Sequence, residues 1–358
     1  MPPDAPLPTA QLPGLKPAPD SAAKTSGGGS WVLAWPLAAL ALLLVYNIAM
    51  TPDFLKFTFD NGEMRGVIID ILKNGAPVIL VALGMTLVLA TGGVDLSVGS
   101  IMVIAAATAW KVVGDNGQGY GLFFTAMLAV VAVSLLLGLW NGFLVSIMRV
   151  QPIVATLILM VAGRGVAKVI TENFNPEFKN AQLLFLGNGI FFGLRFPVLL
   201  TPVVFVVVAL IIRKSALGLF IESVGDNETA SHYAGLSARA VKFSTYLFAA
   251  LCAGLAGVLV SASVGQVDTN QLGLNMELDA ILAAVIGGTS LAGGRFYLLG
   301  SVIGGLVIQT LTETLLTHGV KPEIIPLPKA MVVLAVCLLQ SPVFRKQMRM
   351  VLPARGKR

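Results

Sequence analysis

ATGGVDLSVGS, from Ala90 to Ser100, interrupts a chain that is apolar on both sides, VILVALGMTLVL before it and IMVIAAATA after it. The flanks decide the fold class. Of the 358 residues, 56% are hydrophobic and only 12% charged, with a mean hydropathy of +0.85. Soluble domains carry about 25% charged residues. A helix crosses a hydrocarbon core of about 30 Å with roughly 20 apolar residues, and many runs here are that long. They are uniformly apolar rather than alternating, which argues against a membrane barrel. The expected fold is an all-α integral membrane protein.

Ten transmembrane helices are expected, at 31–50, 67–91, 97–112, 121–148, 151–171, 197–212, 241–263, 277–290, 296–316 and 328–344. Residues 1–30 are rich in Pro, Gly, Ser and Ala without apolar periodicity, and read as a disordered cytoplasmic tail. They lack the basic start and short apolar core of a secretory signal. Residues 345–358 form a basic tail. With both termini inside, the inner segments hold fourteen of the 24 Lys and Arg and the outer loops six. Excess Lys and Arg marks cytoplasmic loops, so the expected orientation is N-in and C-in. The +6 net charge therefore points to membrane topology rather than to nucleic acid. Cys252 and Cys337 both sit in apolar runs and make no disulfide framework.

A second interruption, IGGTSLAGGRFYLLGS, spans Ile286 to Ser301 and resembles the first: an apolar helix, Gly-Gly, polar residues, then Gly-Ser and a new helix. Paired breaks in corresponding positions are the mark of a transporter built from an internal two-fold repeat. Non-helical backbone at membrane depth is tolerated only inside protein or along a wet cavity. Gly92, Gly93, Gly287 and Gly288 are thus expected at a pathway or gate; the plain alternative is a pair of surface loops. Asp95 has three candidate roles: capping the helix that starts near Leu96, lining the route of a polar solute, or carrying a coupling proton. Thr91 and Ser97 suit contacts with a polyol and suit capping equally well.

The 213–242 loop carries its own signals. In Gly225-Asp226-Asn227-Glu228-Thr229-Ala230-Ser231-His232-Tyr233-Ala234-Gly235, Asp226 or Asn227 can cap a helix. Ala230 and Ala234 share a face, and Gly235 can end the helix. One short helix able to dock into another protein is expected; a solvated connector is the alternative.

Missing motifs narrow the function. There is no G-x-x-x-x-G-K-[ST] phosphate loop, so any use of ATP falls to a separate chain. There is no His or Cys cluster with metal-ligand spacing and no hydrolase motif. No catalytic residue, metal or bound cofactor is expected. An ion-coupled secondary transporter would share the broken helices but would want a carboxylate at mid-membrane. Glu277, Asp279 and Glu313 fall near predicted span ends.

Four ordered motifs carry a resemblance: ATGGVDLSVGS, NGFLVSIMRVQPIVATLILMVAGRG from Asn141, LGLFIESVGDNETASHYAGL, and ELDAILAAVIGGTSLAGGR from Glu277. Together they resemble the ribose-type permeases of bacterial ABC sugar importers, over about residues 31–344. QPIVATLILMVAGRGVAKVITEN is most similar to the galactofuranose permease branch. The resemblance implies a multi-pass inner-membrane protein that moves a small sugar by alternating access. It implies partner ATPase subunits that use ATP and Mg, a periplasmic sugar-binding protein, and a second permease copy or paralogue. It maps the 225–235 segment onto the ATPase-coupling element. Asp95, Ser97, Asn141 and Thr156 are then candidates to line the route; for Asn141 and Thr156, hydrogen bonding between helices is the alternative. Val94 stands where this family often has Ile.

Overall fold

A computed structural model describes residues 29–60, 62–114 and 117–340. The two tails expected at 1–30 and 345–358 lie almost wholly outside the described residues.

The described chain opens with α1 (Gly29–Met50), a hairpin of β1 (Thr58–Asp60) and β2 (Glu63–Arg65), and α2 (Val67–Ala90). The first break leads to α3 (Val98–Val113) and α4 (Tyr120–Gly142). A π-helical turn over Phe143–Ile147 follows, then α5 (Pro152–Ile170) and the short α6 (Ala181–Asn188). A second hairpin, β3 (Ile190–Phe191) and β4 (Leu194–Arg195), precedes α7 (Phe196–Lys214). Then come α8 (Leu217–Asp226), α9 (Glu228–Tyr233), α10 (Ala238–Val264), α11 (Met276–Ile286), α12 (Leu298–Thr317) and α13 (Pro326–Gln340).

Every expected span coincides with a helix. Seven of them, α1, α2, α4, α5, α7, α10 and α12, are long and apolar enough to cross a membrane. The three shorter ones are α3, α11 and α13. The remaining short helices, α6, α8 and α9, lie in connections.

The connections gather at two ends. At the hairpin end, Met64 N–H donates to Gly193 O at 2.8 Å. Arg195 Nε reaches Glu63 Oε1 at 2.5 Å, while Arg65 Nε holds Oε2 at 3.1 Å. Gln118 donates to Lys179 O, and Phe178 N–H to Gly265 O. The breaks and α8–α9 lie at the opposite, loop end.

The centre is α2, α3, α10 and α12, most of whose residues are buried, whereas α1, α4, α5 and α7 expose broad apolar faces. Apolar packing alone cannot drive helices together in lipid, so close backbone approach and interhelical hydrogen bonds hold the centre. Gly84 of α2 lies against Ala249 and Cys252 of α10. Thr86 and Ser301 share a hydroxyl contact at 2.6 Å between α2 and α12. Nearer the hairpin end, Asn74 Nδ2 donates to Glu313 Oε1 at 2.7 Å across the same pair, and Gln309 supports that carboxylate at 3.0 Å.

Candidate functional site: two breaks and a short helix pair

The first break is built from its own side chains. Thr91 ends α2, its hydroxyl donating to Val88 O at 2.8 Å. Gly92 then takes φ +76°, a conformation glycine adopts without penalty. Three residues on, Asp95 Oδ1 accepts from Ser97 N–H at 2.9 Å and from the Ser97 hydroxyl at 2.6 Å. This is an Asx turn that leads into α3; Ser97, the residue before that helix, makes no side-chain capping bond of its own. Asn141 Nδ2 reaches in from α4, donating to Ser97 Oγ at 2.7 Å and to Asp95 Oδ1 at 3.4 Å. Tyr246 of α10 donates to Val94 O at 3.2 Å. Asp95, Ser97, Asn141 and Tyr246 are all buried. Among the described residues, Asp95 Oδ2 and Asn141 Oδ1 receive no hydrogen bond.

The second break turns on close approach. Gly287 and Gly300 cross backbone to backbone, and Gly304 lies on the Ala283 carbonyl, so side chains at these glycines would collide with the opposing main chain. Gly293 and Gly294 then bring the loop to the first break. Gly294 N–H donates to Ala90 O at 2.9 Å.

The last turn of α8 sits on both breaks at once. A Cβ on Gly225 would strike Ala90 O and Gly294 N, and one on Gly293 would strike Gly225 O and Gly92 N. These positions admit only glycine because three main chains meet there. The end of α8 therefore touches both breaks main chain to main chain.

The short helix expected within 225–235 is α9, and a further helix, α8, runs up to it from Leu217. Gly225 and Asp226 close α8, and Asn227 is the joint, its Oδ1 accepting from Ala230 N–H at 2.9 Å to cap α9. Asn227 is extended, so it stops one helix and starts the next. Ala234 follows α9 and Gly235 leaves it at φ +84°. Ala230, His232, Tyr233 and Ala234 are exposed, Tyr233 by 85%. Glu228 anchors α9 to α10 through Lys242 at 2.6 Å. A cavity of about 800 Å³ opens between α9 and the turn after α4, with Arg149, Gln151, His232 and Arg239 among its lining residues.

The structure thus joins Asp95, Ser97 and Asn141 in one buried cluster, and brings Gly92, Gly93, Gly287 and Gly288 to the paired breaks. Thr156 stands apart: it is buried on α5 and its hydroxyl donates to Pro152 O within its own helix. Sequence reading missed Ala90, Gly293, Gly294 and Tyr246. The glycine pair in AGGR was a usable signal; nothing in the sequence marked Tyr246 as the residue facing Val94.

Glu277 is buried in the first turn of α11, where the irregular chain that runs in from Gly265 becomes helical. At 1.5 Å per residue, Glu277 is about 14 Å from Ile286.

Residues 67–340 match the branched-chain amino acid transport system / permease component family, and the chain belongs to that family. It is 46% identical over 312 residues to the galactofuranose transporter permease protein of Escherichia coli K12, covering 86% of this chain and 90% of that one. It is 39% identical over 316 residues to a fructose import permease protein of Bifidobacterium longum, covering 87% and 88%. It is 34% identical over 309 residues to the ribose import permease protein of E. coli K12, covering 85% and 92%. No solved structure matches the chain significantly. The protein is accordingly a multi-pass inner-membrane sugar-import permease of the ABC class.

Proposed function

We propose that this permease imports galactofuranose, or a closely related small sugar, by alternating access driven from partner ATPase subunits. The identity to the galactofuranose relative supports the sugar. The contact of Gly225 with Ala90 and Gly294 supports the drive, since α8 bears directly on both breaks. In this reading the loop end is cytoplasmic, and Asn227, Ala230, Ala234 and Gly235 present the docking surface. ATP and Mg are used by the partner, a periplasmic binding protein delivers the sugar, and a second permease copy or paralogue completes the pair. Asp95, Ser97 and Asn141 serve the gate as a buried tie between the first break and α4.

The test is radiolabelled sugar uptake in cells carrying Ala230→Trp. Ala230 is exposed, so the change leaves folding intact while blocking docking. Uptake should fall with normal membrane insertion, and the ATPase subunit should no longer co-purify. Uptake that survives ATP depletion and fails with an uncoupler would instead favour an ion-coupled transporter.

A further inference from the structure

Polar side chains lie exposed where the chain should be deepest in the membrane. After α10, residues 265–275 descend from the hairpin end and reach α3. Gly273 packs main chain to main chain on Gly99, where a Cβ on either would collide with the other. Gly99 is about 21 Å from Val113, the hairpin end of α3, at 1.5 Å per residue. The bottom of this descent therefore lies within the helix bundle, well below the hairpin end.

On it Asn270, Gln271 and Asn275 are exposed. Arg164 of α5 lies beside them, its Nη1 donating to the carbonyls of Asn270 and Leu272 at 3.4 Å each. Irregular backbone at this depth is tolerated only within protein or along a water-filled space. An arginine inside a span likewise faces a bundle interior or a wet cavity rather than lipid. The Asp95 cluster cannot serve as such a surface in this conformation, because helix packing seals it.

We infer that Arg164, Asn270, Gln271 and Asn275 form a wet face of the translocation route, one that contacts a small neutral polyhydroxylated solute. This rests on the sugar-permease reading. Amide and guanidinium groups supply the donors and acceptors that hydroxyls need. Leu274 and Leu278, each 51% exposed, offer an apolar patch to the C–H face of a sugar ring. Glu277 is buried, and the half-buried charges beside this face are of both signs, Arg164 and Asp268, whose Oδ1 accepts from the Asn270 and Gln271 amides.

The test uses the full chain in cells, with Cys252→Ser and Cys337→Ser as background. Gln271→Cys and Asn275→Cys are compared with Phe192→Cys, on the exposed hairpin, and Leu128→Cys, on the apolar face of α4. A charged, membrane-impermeant methanethiosulfonate is added, and reaction requires a thiolate in water. Both test thiols should react within about tenfold of the Phe192→Cys rate, and Leu128→Cys about 100-fold more slowly. D-galactose or D-ribose at tens of millimolar should slow labelling about twofold or more, whereas osmotically matched betaine should not. Labelling as slow as that of Leu128→Cys would overturn the inference. So would labelling that no sugar slows more than betaine does. Neither readout involves ATP, so a failure of the ATP-driven reading would show in uptake and leave these rates unchanged.

Discussion

Gly294 donates its amide to the carbonyl of Ala90 at 2.9 Å, tying the second break of the chain to the first. Gly225 closes the third side of this junction. The junction makes the permease sensitive to a single methyl group.

Gly225→Ala should destabilise the packed state by about 1–3 kcal/mol, the range for overpacking a tight site. Uptake should fall at least about tenfold, because the methyl group separates α8 from both breaks. Gly121→Ala, where nothing lies within 4 Å, should alter neither property. Uptake and thermal stability in detergent, measured side by side, check this.

Asp95 separates capping from proton carriage. Asp95→Ala leaves the donors of Ser97 and Asn141 without their buried acceptor and should cost about 1–3 kcal/mol. Asp95→Asn keeps Oδ1 as the acceptor for Ser97, so it should hold the melting temperature and retain uptake. A thermally stable Asp95→Asn protein with no uptake would instead assign a proton to Asp95.

Asn227→Ala removes the cap that joins α8 to α9, worth about 1 kcal/mol. Fraying should be local. Hydrogen exchange at the Ala230 amide should quicken by about fivefold, while the melting temperature of the spans stays put. Co-purification of the ATPase subunit should weaken in proportion.

Glu63 ties the hairpins in a pH-dependent way. The hydrogen bond from Arg195 holds its carboxyl below the ordinary carboxylate range, against burial, with Arg65 adding to the effect. The folded value is the lower one, so the tie is fully present above the unfolded value, about 4.3. It weakens as pH falls from there through the folded value. Hydrogen exchange at the Met64 amide, corrected for intrinsic rate, should show protection at pH 7 that is lost in that acid window. Glu63→Gln should lose about tenfold of that protection at pH 7, as expected for a charged hydrogen bond, and show no further acid change.

The apolar segments were fully legible, because a span announces itself by composition alone: each expected span coincides with a helix. The paired breaks were legible from Gly92-Gly93 and Gly287-Gly288. Depth was not. Residues 264–276 fell between two expected spans, and hydropathy carries no coordinate along the membrane normal. Only the contact of Gly273 with Gly99 reveals the descent. Gly225 was read only as the start of the coupling segment, but its reason is distant, in Ala90 and Gly294. Asn227 was recognised as a cap, yet the helix it ends was invisible because Leu217–Asp226 continues the apolar tone of α7.

The bond from Asn74 to Glu313 also has a history in time. A ribosome adds about 5–20 residues per second, so α2 emerges roughly 10–50 s before Glu313 exists. Through that interval Asp70, Lys73 and Asn74 have no α12 to lie against. The first turns of α2 must wait at the headgroup layer or under the cover of the insertion machinery. The yield of intact permease is thus set partly by what happens during its own synthesis, before the last helices arrive.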